Sequence, residues 1–312
     1  KNYTSFQTSS GRMRFRTMPF GPVNAGSTYN RMIRKLLDGA NDLESYIDDV
    51  LAHSVRWEGH LDTLRDFFER VRRANLALKP SKCQLGYSQV DFLGHTITGD
   101  TIQPRSEAID KILDAPRPTT KKQVRRLIGM ASFYRKFIPH FSTVASPLTD
   151  LTAKGCGNEV PWGDSQQQAF DKLKQLLSQK PILKLPDLKR PIFLQTDASD
   201  TGLGAVLLQE HDGVKHPIAY ASRKLLPREC NYTVGEKECL AVIWAVSSKF
   251  SRYLLDNPFI LETDHRPLEC LNSGNTTNKR IMRWGLILKS YKFKVQYIKG
   301  TDNLIADYLS RV

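Results

Sequence analysis

A chain of 312 residues is long enough for about two domains with real hydrophobic cores. Hydrophobic residues at 40% and charged residues at 25% exclude collagen-like, coiled-coil and wholly disordered classes. With 46 Lys+Arg against 32 Asp+Glu the formal net charge is +14, which points to a polyanionic partner.

No stretch approaches the ~20 apolar residues of a membrane span. Lys1–Thr4 opens no apolar run of the signal-peptide kind. Five cysteines (Cys83, Cys156, Cys230, Cys239, Cys270) are widely spaced and form no C-x-x-C pair. That argues against a zinc site or disulfide framework and gives the expectation of an intracellular, reducing compartment with no membrane partner.

In chain order, residues 28–38 read as a helix with Tyr29, Met32, Ile33, Leu36 and Leu37 on one face. Leu43 to Val55 reads as strand, tight turn and strand, with Asp48-Asp49 near the turn. His60 to Leu78 is strongly amphipathic, and Val90 to Ile102, punctuated by Gly94 and Gly99, suggests a small hairpin. Helices are expected over Ser106–Leu113 and Lys121–Ile138, separated by Pro116 and Pro118. A loop over Thr152–Pro161 precedes a helix from an Asp164 N-cap to Leu177. Pro181, Pro186 and Pro191 mark a boundary near 185–191.

Beyond it the pattern changes. Ile192–Asp197, Gly204–Gln209 and Ile218–Ser222 read as strands, Val234–Phe250 as a largely buried helix and Phe259–Asp264 as a fourth strand. Thr277–Leu288 is a helix, Phe293–Ile298 a fifth strand and Asn303–Leu309 a last helix. That order implies a mixed sheet with helices against it, so the chain reads as α/β and α+β, with several domains.

Charge is uneven: 30 basic against 19 acidic residues over 1–190, but 16 against 13 over 191–312. The segment Arg117–Thr149 holds Lys121, Lys122, Arg125, Arg126, Arg135 and Lys136 and no acid, interleaved with Phe133, Tyr134, Phe137 and Phe141. A solvated helix face with core aromatics is the ordinary explanation; phosphate and base contact is the functional one.

Asp197 and Asp264 each end an apolar strand, Glu238 interrupts an apolar helical run, and Asp307 lies in the last helix. Singly, each reads as a turn residue, cap or solvated side chain. Together they would form an acceptor-only cluster that suits Mg²⁺, and two such ions serve phosphodiester hydrolysis. Asp48-Asp49 offers a second pair of carboxylates at a hairpin tip.

These motifs resemble a known family. Tyr46-Ile47-Asp48-Asp49 resembles the YxDD motif of reverse transcriptases, and Arg16 to Ala25 the RMPFGLxNAP segment of the same palm. Phe92-Leu93-Gly94-His95 resembles the primer-grip hairpin, and Leu127 to Ile138 the helix after it. Thr196-Asp197-Ala198-Ser199, Glu236-Lys237-Glu238, Thr263-Asp264-His265 and Ala306 to Arg311 resemble the ribonuclease H half. The set is similar to the pol polyprotein of gypsy-like LTR retrotransposons over essentially the whole chain.

The resemblance implies a partial reverse-transcriptase palm (1–102), a thumb (103–150), a connection (151–190) and a ribonuclease H-like five-stranded mixed sheet with flanking helices (191–312). Asp48 would bind catalytic metal with Asp49 beside it, and Phe20 and Gly21 would line a nucleotide pocket. Phe92, Leu93, Gly94 and His95 would hold the primer strand. Lys121, Lys122, Arg125, Arg126, Arg135 and Lys136 would track the duplex. Asp197, Glu238, Asp264 and Asp307 would ligate Mg²⁺, two ions per active site with Mn²⁺ as an alternative. Glu238 is chosen over Glu236 because its spacing to Ala241 matches the family.

Expected partners are an RNA–DNA hybrid and a template–primer duplex, with other polyprotein domains, in a cytoplasmic retrotransposon particle or the nucleus. Residues 1–15 hold no Asp or Glu, where family members place another metal-binding Asp upstream of the RMPFG-like segment. The expectation is therefore weak polymerisation and weak deoxynucleotide binding by this chain alone, beside intact hybrid cleavage. The competing expectation is a non-catalytic nucleic-acid-binding remnant of a decayed or domesticated element. A third takes 1–190 as a scaffold without a role in substrate binding.

Overall fold

The structure, a computed structural model, describes residues 4–19, 21–179, 181–265 and 278–310. Phe20 and the stretch containing Cys270, together with Arg311, lie outside the described residues. The chain divides into two compact units, 1–87 and 88–312.

In the first unit, β1 (Ser5–Thr8) and β2 (Gly11–Arg14) form an antiparallel ribbon. Next come α1 (Ala25–Leu36), the hairpin of β3 (Leu43–Tyr46) and β4 (Asp49–Ala52), and α2 (Trp57–Arg73). Among its described residues only Ile33, Leu43 and Val71 are buried hydrophobics. Arg70 ties α2 to the end of α1 by donating to the carbonyls of Leu36 (3.1 Å) and Asp38 (2.8 Å).

The second unit begins with β5 (Gln89–Phe92), β6 (His95–Thr98) and β7 (Thr101–Pro104). The expected small hairpin is thus a three-stranded meander. Helices α3 (Ser106–Leu113), α4 (Lys121–Phe133), α5 (Phe141–Val144), α6 (Ser146–Asp150) and α7 (Asp164–Ser178) follow. They share one core that includes Val124, Phe137, Leu148 and Leu173. Thr120 caps α4 in a reciprocal box with Gln123. The helix ends at Phe133 rather than Ile138, in a 3₁₀ turn at Arg135–Phe137 and a left-handed His140. Gly163, not Asp164, is the N-cap of α7. Strand β8 (Leu183–Lys184) returns to pair with β7, so the proline-marked stretch closes one sheet before the next begins.

The last sheet contains β9 (Ile192–Ala198), β10 (Gly202–His211) and β11 (Val214–Lys224). Helices α8 (Pro227–Cys230), α9 (Val234–Trp244) and α10 (Ser251–Leu254) lead to β12 (Phe259–Thr263). Then come α11 (Lys279–Leu288), β13 (Phe293–Tyr297) and α12 (Leu304–Ser310). Strand order is β11-β10-β9-β12-β13: antiparallel across the first three, parallel from β9 through β12 to β13. Alternate residues of β9 and β10 face two sides. Ile192, Leu194, Ala205 and Leu207 join α9 in the main core. Phe193, Val206 and Leu208 meet Leu309 of α12 on the other. The single long helix expected over 234–250 opens after Trp244 into a π turn (Ala245–Lys249). The helical group and this sheet belong to one unit, joined where Ser142 donates to the Ser222 hydroxyl (2.9 Å) and Arg135 to the Ser222 carbonyl (3.0 Å).

Gly204 sets how close α12 can come. A Cβ there would lie 2.5 Å from the Ala306 carbonyl oxygen and the Ser310 nitrogen, both backbone atoms that cannot move aside. Gly204→Ala should therefore destabilise the fold by about 1–3 kcal/mol, the cost of overpacking. Chemical denaturation measures the loss, and hydrogen exchange should show it concentrated in residues 304–310.

Candidate active site

Each of the four carboxylates comes from a different element. Asp197 lies near the end of β9, opposite Gly204, and is 8% exposed. Glu238 lies on α9, its helix buried along this stretch, and is 6% exposed. Asp264 follows directly on β12, and Asp307 sits on α12, its amide bonded to the Asn303 carbonyl (3.0 Å).

Their fields overlap. Burial first, then the charges of Asp307 and Asp264, push the Asp197 carboxyl above the ordinary carboxylate range, while the Ser310 hydroxyl and the Ala198 amide pull it back. Burial, then Asp197 and Asp264, push Glu238 up to about 8. Glu238 Oε2 is buried without a hydrogen-bond partner. Asp197 is therefore within electrostatic range of the other three, and Glu238 of Asp197 and Asp264. Among the described residues, however, no three His, Cys, Asp or Glu side chains are gathered tightly enough to enclose an ion.

The structure separates Glu238 from Glu236. Glu236 closes the capping box of α9 with Thr233 and accepts from Asn278 (2.9 Å) and Arg280 (2.7 Å). Its carboxylate is committed to holding the start of α11 against α9. Glu238 has no such partner.

Asp48 and Asp49 are exposed in the first unit, at the turn between β3 and β4, where Ile47 adopts positive φ (56°). Gly21 borders a shallow hollow with Phe6, Phe15 and Pro22; Phe20 is not among the described residues. In the second unit, Phe92 to His95 form the β5–β6 turn, with Leu93 (φ 49°) and Gly94 (φ 78°) left-handed. The turn packs on α4: Tyr134 donates to the Gly94 carbonyl (3.0 Å), and the His95 ring lies 5.2 Å from Phe133 and 5.6 Å from Phe137.

The six basic candidates divide. Lys122, Arg125 and Arg126 are exposed along α4. Lys121 is turned to the carbonyls of Ala153 (2.6 Å) and Cys156 (3.2 Å). Arg135 and Lys136 are half-buried, and burial lowers both their pKa values.

The family described as "Reverse transcriptase (RNA-dependent DNA polymerase)" matches residues 1–97. "RNase H-like domain found in reverse transcriptase" matches residues 162–261. A retrovirus-related Pol polyprotein from transposon 297 of Drosophila melanogaster is 38% identical over 99% of this chain and 29% of its own length. The transposon Tf2-3 polyprotein of Schizosaccharomyces pombe is 36% identical over 99% of this chain and 23% of its own length.

The chain thus carries a reverse-transcriptase match followed by a ribonuclease H-like match, and is similar along its length to transposon Pol polyproteins. It spans about a quarter of the length of those relatives. A foamy viral protease–reverse transcriptase solved with dsDNA superposes with a TM-score of 0.83 at 23% identity, covering 95% of this chain and 63% of that one. The same kind of enzyme solved with an RNA/DNA hybrid gives 0.81 at 24%, covering 95% and 41%. At such identity the likeness shows a shared fold.

Two groups near the acidic cluster escape sequence reasoning. Asn303 is fully buried and donates to the Thr196 carbonyl (3.2 Å) and to Asp264 Oδ1 (3.3 Å), clamping β9 to the residue after β12. Lys237, its side chain 8% exposed, pairs with Asp200 at 2.7 Å, one residue before Glu238 on α9. The one available signal was a polar residue at the start of an apolar helix, which reads equally as a cap.

Stability should follow Glu238. Unfolded, it ionises near ~4.3; folded, it keeps its proton to about 8. Between those values the native state binds the extra proton, so stability falls as pH rises through that window. Asp197, also raised, adds to the same slope. Melting in EDTA from pH 5 to 8 should show a declining melting temperature, and Glu238→Gln should flatten it.

Proposed function

We propose that this chain cleaves the RNA strand of RNA–DNA hybrids endonucleolytically, with Asp197, Glu238, Asp264 and Asp307 as its acidic site. The observation that carries this reading is the convergence of four carboxylates from four elements, two of them driven toward the protonated state, with one buried oxygen unpartnered. Carboxyls raised by burial and by one another are the arrangement that acid–base and metal sites use. Reverse transcriptase and ribonuclease H families use divalent metals.

The donor set suits a hard cation: it is all oxygen, acceptor-only once ionised, and has spare lone pairs at Glu238. Bound divalent cations would activate a water and stabilise the leaving oxygen. Asp197, Glu238, Asp264 and Asp307 would hold them, Asn303 would orient Asp264, and burial would keep bulk water from Glu238. Hybrid recognition would rest on duplex shape, phosphates and 2′-hydroxyls, without base reading. A structural neighbour was solved with such a hybrid, which agrees with this substrate class.

In the first unit we assign Asp48 and Asp49 to nucleotidyl transfer in the polyprotein. The turn of residues 92–95 and the exposed Lys122, Arg125 and Arg126 are assigned to the template–primer duplex.

Purified chain with Mg²⁺ should cut a labelled RNA–DNA hybrid and leave the DNA strand whole. Asp197→Asn should abolish cutting while hybrid binding persists; the exposed Asp62→Asn should cut normally. Wild-type chain that binds hybrid and never cuts it would replace this reading with that of a non-catalytic binding remnant.

A further inference from the structure

Helix α12 stands on the sheet with a neighbour on each side. Ser222 on β11, Gly204 on β10 and Asp197 on β9 form one cross-strand row, and directly paired residues share a face of the sheet. The helical group sits over Ser222. There the Ser142 amide and hydroxyl donate to the Ser222 hydroxyl (3.2 and 2.9 Å), and Arg135 donates to the Ser222 carbonyl (3.0 Å). The backbone of α12 lies over Gly204, and the acidic site over Asp197. Two strand spacings, about 10 Å, separate the ends of the row, roughly the diameter of a helix. The helix therefore fills the gap between the helical group and the acids.

The residues of α12 divide accordingly. Ala306 and Leu309 are fully buried on the sheet side. Asp307 reaches the field of Asp197. Tyr308, about 100° farther round the helix, meets the His140 ring edge-to-face, the two planes at 87°.

His140 is held firmly. It precedes α5 in left-handed geometry (φ 54°), its carbonyl accepts from the Val144 amide (2.9 Å), and Arg135 and Ser142 on either side of it bind Ser222. It is 8% exposed, and its Nε2 is buried without a hydrogen-bond partner, so at that atom the ring acts by packing. Tyr308 is 63% exposed. A ring so open adds little burial to the fold, and the contact bears on where α12 stands more than on whether the chain folds.

We propose that His140 is a positioning residue for Asp307: it braces Tyr308 and so holds α12 from the side away from the acids. The brace rests on the hybrid-cleavage reading above and gives the helical group a part in the chemistry. Repulsion between Asp307 and Asp197 drives α12 toward the helical group, and His140 stops it there. Position is transmitted by contact between rings, so the Tyr308 ring matters and its hydroxyl does not.

The test uses the full chain. His140→Asn keeps a residue at ease in the left-handed region and removes the ring. With Mg²⁺ it should lower kcat for hybrid cleavage about tenfold, the scale of losing a group that orients a metal ligand, and leave KM and hybrid affinity in EDTA unchanged. Tyr308→Ala should lose as much, the double variant no more than either, and Tyr308→Phe nothing. Leu173→Ala, in the core under α7, should lower the melting temperature at least as far and keep the wild-type kcat at a temperature where every variant is folded. Two readouts need no cleavage. In His140→Asn, Mg²⁺ affinity should fall, and amide exchange of residues 304–310 in EDTA should quicken. A wild-type kcat in His140→Asn, a loss in Tyr308→Phe equal to that in Tyr308→Ala, or additive losses in the double variant would overturn the brace. So would a kcat loss in Leu173→Ala as large as in His140→Asn. Wild-type chain that cuts no hybrid would overturn the functional reading, and the two cleavage-free readouts then decide the brace: wild-type values in His140→Asn overturn it.

Discussion

The backbone of α12 lies directly on the strand at Gly204, and the ribonuclease H-like half of the molecule depends on that contact. No side chain larger than hydrogen fits between them. The contact brings Asp307 within the field of Asp197 on β9, the neighbouring strand. Asn303, at the head of the same helix, reaches both Thr196 and Asp264. A helix held one side chain farther away would leave Asp197 facing only Glu238 and Asp264.

Holding these acids together is electrostatically unfavourable, and the surrounding structure supplies the restraint. The sheet places Asp197 and Asp264 at the ends of adjacent parallel strands, fixed by the register that pairs Leu261 with Leu194. Helix α9 delivers Glu238 from a packed face where the Ala198 amide meets its carboxyl but one oxygen, Oε2, finds no donor. The nearby charges outside the acidic cluster are structural. Glu236 anchors α11, Lys237 meets Asp200, and the buried Glu262 is satisfied by Lys215 and Gln195. The unpartnered oxygen of Glu238, more than the number of carboxylates, distinguishes the site from a structural ion-pair network.

Much of this was legible in the sequence because it depends on local chemistry. The strands at 192–197 and 259–264 each put an Asp after an apolar run, and periodicity marked the helix carrying Glu238. Helix 106–113 is found with the bounds the sequence gives it. What periodicity missed came from longer range. The π turn after Trp244, the left-handed His140 and the two-residue strand at Leu183 are set by packing between distant segments, and no window of neighbours encodes them. The partners of Glu236 came from a helix more than forty residues on, so only spacing could favour Glu238 beforehand. The basic run at 117–149 read as one face, yet Lys121 turned to loop carbonyls and Arg135 to the sheet. A solvated lysine and a tethered one look alike in sequence.

The central claim is that these four carboxylates are held close against their own charge and await a cation. Calorimetric titration of the chain with Mg²⁺ near pH 7, repeated in buffers of different ionisation enthalpy, tests it most directly. The account predicts binding with net proton release in the wild type, because Glu238 must ionise to serve as a ligand, and loss of that release in Glu238→Gln. Binding without any buffer dependence, or no binding by a folded chain, would contradict it.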